Sequence, residues 1–517
     1  MSRALRFPVI LFALVCGAWP ARAAPDAALE RGTAIIDPLG LRELDHGRFA
    51  IGRMLWPERS ANIPLSSGHT FHLSSMAPVR RAIDAEFDRY IARHRNSLPN
   101  ETIGVGDTFD FQLFDRAQLE AANTRFVLAG IINRMDRAYI NDADCGEIRL
   151  IYRLTRAKML ETGDNAALPR LPMTLNLVLK AKGGHERDRR GNVITCPEIA
   201  KRWLAAGELP LTGVSLARQL LDDGGPLDLI GYENIDRIET NLQIAHAPKS
   251  AVRDFRTDYL LKVFRYDAVA REFLEAPMEN QIDRDRLLAD DGLKREFKAW
   301  LLDSKHLAEF DRGMALIPEK FLANGAIAAT PVGFDASALQ PEFGLIQGEG
   351  ANPVFDEVEI VTALKKAAAD GTKLLNIRSV GGFARRLNDM TCSGCHQTRG
   401  IGGFHFPGVD WMAANPSNST VVPASPHFFG DQARRRDILI ALRDSKPPDY
   451  SRGFAAARNC AAARNWREPN TMTAGARIAM PRGNQPPATT PVFAPGPAPR
   501  GWPVRSPAKS RGWACAL

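Results

Sequence analysis

Several absences narrow the possibilities before any motif is considered. After the N-terminus no run of about 18 apolar residues occurs, so no transmembrane helix is expected. The chain has no phosphate-binding Gly-rich loop ending in Lys-Ser/Thr and no G-x-S-x-G nucleophile elbow. His185, in Gly184-His185-Glu186-Arg187, lacks the second His of a zinc-protease helix. Gly348-Glu349-Gly350 follows no βαβ unit, which removes a dinucleotide reading. Internal repeats are absent, so a solenoid or propeller is not indicated.

Positive charge is also missing where a nucleic-acid protein needs it. The formal net charge is +8. Arg3, Arg6 and Arg22 supply three of those charges, and residues 446–517 carry 11 basic residues against Asp449 and Glu468. The stretch between them is therefore slightly acidic. A basic stripe on the folded body is the footprint of nucleic-acid binding, and this body has none, so no nucleic-acid partner is expected.

The N-terminus has the pattern of an export signal. Arg3 and Arg6 precede an apolar run from Pro8 to Trp19, and Ala21-Arg22-Ala23 is an A-x-A cleavage site. Cleavage after Ala23 would place the mature start at Ala24, in the periplasm or outside the cell. Cys16 lies inside the apolar run, and Val15 before it is not the small residue of a lipid-anchor site.

Cysteine is scarce, at 7 of 517 residues. In an oxidising compartment, leftover pairs form disulfides. Cys145 pairs most naturally with Cys196, since both fall within one domain; buried thiols are the alternative. Cys460 and Cys515 make a weaker pair in the tail.

Texture along the chain suggests an α+β protein. Residues 24–75 read as irregular. Val79, Ile83, Phe87, Tyr90 and Ile91 then recur at helical spacing behind Ser75 and Pro78. Residues 126–133, 147–154 and 173–180 are apolar and β-branched, the last two alternating, and 240–245 and 258–266 continue as strands. Cys196-Pro197-Glu198 opens a helix through Trp203. This gives a mixed, mainly antiparallel domain over 24–267. From Ala268 to residue 445 the chain reads as helical, over 282–302, 306–322 and 355–369, with Phe383, Leu387 and Met390 on a last short helix. Residues 446–517 are a basic, Pro-rich, largely irregular tail.

That last helix leads into Cys392-Ser393-Gly394-Cys395-His396. The spacing C-x-x-C-H has a mechanical reason. Two thiols one helical turn apart reach both vinyl groups of a porphyrin, and the adjacent His supplies an axial iron ligand. With 7 Cys and 10 His in 517 residues, chance produces the pattern in roughly two chains per thousand. One covalent haem c at Cys392, Cys395 and His396 is therefore expected. A zinc site or a plain disulfide at the same cysteines are the alternatives.

The second axial ligand is open. His405, nine residues beyond His396 and flanked by Phe404, Phe406 and several glycines, leads Met412, with His427 further on. Two strong ligands suit electron transfer to a partner protein. An open face suits a peroxidase or oxidase. Without haem, the chain would be an envelope binding protein with a structural Cys pair or zinc. Arg385, Arg386 and Arg399 flank the motif, either near haem propionates or as solvated charges. Asp84, Glu86 and Asp88 read as a solvated helix face. Residues 133–137 (Asn-Arg-Met-Asp-Arg) and 145–149 (Cys-Gly-Glu-Ile-Arg) are dense in charge and read as salt-bridged loops in preference to the lining of a cleft.

Ile132-Asn133-Arg134-Met135-Asp136 and Cys145-Gly146-Glu147-Ile148-Arg149-Leu150, with the Cys196-Pro197 helix and with Cys392–His396 followed by Gly403-Phe404-His405, resemble a group of exported bacterial proteins. Its members join a mixed N-terminal domain to a late C-x-x-C-H segment. The resemblance covers most of residues 30–440 and implies a cytochrome c-like haem region, with a His after the motif that falls on His405. It implies no particular reaction. Past Ser445 this chain departs from the pattern, since relatives keep an ordered, cysteine-containing end.

Overall fold

A computed structural model describes residues 32–57, 65–141, 143–156, 170–183, 187–188, 191–247, 256–330, 354–392 and 426–453. The signal segment, Cys395, His396, Arg399, His405, Met412, Cys460, Cys515, His185 and Gly348–Gly350 lie outside the described residues, as does the side chain of His427. The chain divides into two compact units, residues 1–465 and 466–517, and every described residue belongs to the first.

The described residues up to 75 are more helical than their sequence suggested. After a short strand β1 (Ala34–Ile35), Asp37 caps helix α1 (Pro38–His46), its carboxylate accepting the Gly40 N–H. Pro38 at the first position costs nothing, because that N–H has no partner in a helix. Helices α2 (Ile51–Leu55) and α3 (Ser67–Phe71) follow, the latter capped by Ser66. Side-chain caps start α1 and α3, and all three helices are too short for a clear apolar period.

Helix α4 (Ala77–Ser97) matches its periodicity and buries Val79, Ile83, Phe87, Tyr90 and His94. Short strands β2 (Ile103–Gly104) and β3 (Phe111–Leu113) lead to the long strands β4 (Thr124–Arg134), β5 (Asp144–Arg156) and β6 (Arg170–Lys182). Helices α5 (Cys196–Gly207) and α6 (Gly213–Leu221) intervene before β7 (Ile235–Ala247), β8 (Arg256–Asp267) and β9 (Glu272–Ala276). Each expected strand is present and longer by several residues.

The strands form one sheet, ordered β1-β4-β5-β6-β7, with β8 also beside β7, β9 beside β8, and β3 beside the end of β7 that runs past β6. Every pairing among the described residues is antiparallel except β2 with β3. Alternation sorts its faces. Ile148, Leu150, Leu175, Leu177, Leu179, Ile238, Leu242, Leu260 and Phe264 join the buried faces of α1–α6 in one core. Cys145, at the start of β5, is joined to Cys196, at the start of α5, by a disulfide with a Cα–Cα distance of 5.2 Å.

The helical texture after residue 268 is interrupted. Helices α7 (Arg284–Ala289) and α8 (Asp291–Leu301) replace one expected helix, because Asp290 caps the second by accepting the Gly292 and Leu293 N–H groups. Helix α9 (Ser304–Asp311) stops before Gly313, whose φ of +70° favours glycine. The chain then returns as strand β10 (Gly325–Thr330), antiparallel to β8. Helices α10 (Glu357–Ala369) and α11 (Val380–Met390) complete a second core with Phe297, Phe310, Phe321, Phe355 and Phe383 at its centre. Helix α12 (Pro426–Arg443) returns to the first core through Leu439. The fold is α+β with an antiparallel sheet.

Candidate functional site

The face of the sheet turned away from the first core is not apolar. Its residues follow from register. Arg149, Val178, Arg237 and Arg265 lie in one row across β5–β8, with Ile151, Asn176, Glu239 and Val263 in the next. Arg153, Thr174, Asn241 and Leu261 form the third row. This face floors a cleft of about 650 Å³, walled by Arg134, Arg137, Tyr139, Glu279, Ile317, Cys392 and Arg452 among others.

Ion pairs organise the floor. Glu147 accepts from Arg149 at 2.9 Å and from Arg237 at 2.8 Å, and lies 3.1 Å from Arg137 Nε. Glu239 takes Arg149 at 2.9 Å and Arg237 at 2.8 Å. Glu279 pairs with Arg137. Three guanidinium groups and three carboxylates thus alternate. Burial alone would raise the Glu147 carboxyl, but Arg137, Arg237 and Arg149 outweigh it and hold it well below the usual range. Two charged segments that read as salt-bridged loops are salt-bridged, and they line the cleft as well.

The turn between them depends on Gly146. Its φ is +89°, and a Cβ there would stand 2.5 Å from the Arg134 carbonyl oxygen and 2.7 Å from Met135 Cα. Only glycine lets β5 pass this close to the segment that carries Asp136.

Asp136 is the second node. Its carboxylate receives Arg134 at 2.8 Å, Arg434 of α12 at 2.8 Å and Arg452 at 3.1 Å. Asp431 receives Arg434 at 2.6 Å and Arg435 at 2.7 Å. Burial disfavours the charge on Asp136, yet Arg134, Arg435, Arg434 and Arg452 keep its carboxyl well below the usual range. Two of the cations bear the opposite strain: burial, then Arg134, lowers Arg435 to about 10, and burial, opposed by Asp136 and reinforced by Arg434, lowers Arg452.

Arg452 also ties the two cores together. Its N–H donates to the Arg312 carbonyl, and its own carbonyl accepts from Arg386. Arg386 is fully buried, donates to the Asp311 carbonyl, and is lowered to about 10 chiefly by burial. It is a structural arginine within the fold. Arg385 is half-exposed and lies 3.7 Å from Asp389.

Cys392 follows α11 after the cap residue Thr391 and stands on the cleft wall. Its thiol lies 3.8 Å from the Glu279 carbonyl oxygen, and it packs beside Tyr259, Leu261, Met278, Ala326 and Ala328. Of the sequence-predicted haem residues it is the one within the described region. No cluster of three His, Cys, Asp or Glu side chains suited to a metal ion occurs among the described residues.

On the opposite face, Glu86 of the supposed solvated set instead accepts Lys262 Nζ at 2.8 Å, a lysine that is itself fully buried and also paired with Glu275. Asp84 pairs with Arg80, and Asp88 with Arg116.

Comparison with known proteins gives little. No family model matches the chain. No solved structure matches it. A glutamyl-tRNA reductase of Corynebacterium aurimucosum is 24% identical over 197 residues, covering 36% of this chain and 43% of that protein. The chain therefore spans less than half the length of the curated relative it matches.

Proposed function

We propose that this protein is an exported c-type cytochrome-like protein that holds one covalent haem and passes single electrons to a redox partner. The observation that carries the reading is Cys392-Ser393-Gly394-Cys395-His396 behind an N-terminal export pattern. When bound, haem supplies a reversible one-electron iron couple. Cys392 and Cys395 would hold it through thioethers, His396 would give the proximal nitrogen, and His405 would close the distal side, with Met412 the weaker candidate. The surroundings of Cys392 suit this. Leu261, Met278, Ala326 and Ala328 give an apolar patch for a ring edge, and the cleft beside it is polar. The helical cytochrome c-like character of residues 268–445 is part of the proposal.

The cleft next to Cys392 favours a second reading, a haem peroxidase or oxidase with an open distal face. The likeness to a glutamyl-tRNA reductase does not redirect the proposal. It covers a minority of both chains, and the antiparallel sheet among the described residues offers no βαβ dinucleotide loop.

Metal analysis and spectroscopy of the exported full chain test the proposal. One iron per chain, with an oxidised spectrum unmoved by added cyanide until His405→Ala opens the site, is expected for the electron carrier. Iron that binds cyanide without any mutation moves the assignment to the enzyme. Zinc and no iron refutes both.

A further inference from the structure

Beyond any haem, the cleft itself has the makings of a small-molecule site. At one end, Asp136 receives three guanidinium groups, from buried Arg134 and from the partly buried Arg434 and Arg452, while Asp431 is matched by Arg435. Arg434 Nη1 and Arg452 Nε are buried without a hydrogen-bond partner. Arg134 and Arg452 line the cleft. A buried cation in excess of its carboxylates calls for an anion. The floor makes no such demand, since Glu147, Glu239 and Glu279 already match Arg137, Arg149 and Arg237. An anionic group therefore belongs at the Asp136 end.

Along the floor the requirement differs. Asn176 is 8% exposed, and its amide oxygen is buried with no partner. The Asn241 amide oxygen is likewise buried and unpartnered, and both residues line the cleft. A buried acceptor without a donor is destabilising unless a ligand supplies one. The volume of about 650 Å³ falls in the range of small-molecule sites.

We propose that the cleft binds a small hydroxylated carboxylate, its carboxylate against Arg134 and Arg452 and its hydroxyl groups donating to Asn176 and Asn241. The site uses charge-assisted bonds at one end and neutral hydrogen bonds along the floor, so both halves of the ligand are read. This does not depend on haem at Cys392.

Calorimetry on the exported full-length protein, at fixed ionic strength, tests it with three probes. D-gluconate carries both features, succinate has carboxylates without hydroxyls, and D-glucose has hydroxyls without a carboxylate. Gluconate is expected to bind at least about tenfold more tightly than succinate, and glucose to give no heat. Arg452→Gln should weaken gluconate about tenfold or more. Asn176→Leu removes no partner's hydrogen bond, so the fold should hold; it should weaken gluconate and leave succinate unchanged. Absence of heat with gluconate and succinate overturns the proposal, as does gluconate binding that Asn176→Leu leaves intact. Binding confined to a Cys392→Ala/Cys395→Ala protein also overturns it and gives the arginines to haem carboxylates.

Discussion

Single side chains carry much of the argument, and Glu147 carries the most. It meets three arginines on the cleft floor with a side chain 13% exposed. Removing one partner from a buried ion network leaves uncompensated charge. Glu147→Gln should destabilise the protein by about 3–5 kcal/mol, read from urea unfolding. A loss under about 1 kcal/mol would mean that water screens the network. Asp45 of α1 works in the opposite sense. Burial raises its carboxyl to about 7, against an N–H from Leu128 and the charge of Arg125 that lower it. The folded state then keeps a proton that the unfolded chain releases near its ordinary value of 3.8. The stability linked to this group is full below that value and lost as pH rises toward 7. Asp45→Asn should therefore be more stable than the parent at pH 8 by about 1–2 kcal/mol, discounted for partial exposure, and equal it at pH 4. Equal melting at both pH values would show that Asp45 ionises normally. How legible were such residues? Charge density flagged Asp136 and Glu147, because four polar residues crowd into 133–137 and two charged ones into 145–149, beside strands. Their partners were hidden, since Arg434 and Arg452 lie 298 and 316 positions from Asp136. No local pattern encodes a contact across that distance.

Elements were more readable than the pairs between them. The strands that became β5 and β6 announced themselves by alternation, and α4 by its period, because each buries one face against the core. Register stayed invisible, and with it the rows that put Arg149 beside Arg237 through Val178. Helix α12 escaped notice because its Arg434-Arg435-Arg436 run gives it charge where an amphipathic helix has apolar residues; those arginines serve Asp136, Asp431 and Glu208. The disulfide between β5 and α5 closes a loop with a sequence separation of 51. In the loop-entropy account, such a closure contributes about 4 kcal/mol. Cys145→Ala/Cys196→Ala should lower the unfolding free energy by about 2–4 kcal/mol, and the parent should lose a similar amount under reducing agent. No change on reduction would mean that the pair adds nothing to stability.

At the scale of the whole molecule, two cores meet along a charged cleft, and acid should open it. Asp136 and Glu147 are held well below the usual range, and Asp431 is held at about 2, by arginines that outweigh burial. Lowered carboxyls contribute stability above the unfolded value, which is lost as pH falls through the folded one. The melting temperature should fall steeply below about pH 4. A flat profile down to pH 2 would contradict the network. The cleft also unites the two functional ideas: Cys392 on one wall, and an arginine-rich end that suits a carboxylate on another. The C-x-x-C-H motif was legible because its chemistry needs only spacing. The cleft was not, because it exists only once both cores are packed.

The most direct test is the pyridine haemochrome spectrum of the full chain, exported in a host that attaches haem c and then denatured. A haem c band at one haem per chain, lost in Cys392→Ala/Cys395→Ala, is the expected result. A denatured chain from which all haem is extracted, or one that never carried any, would contradict the central claim.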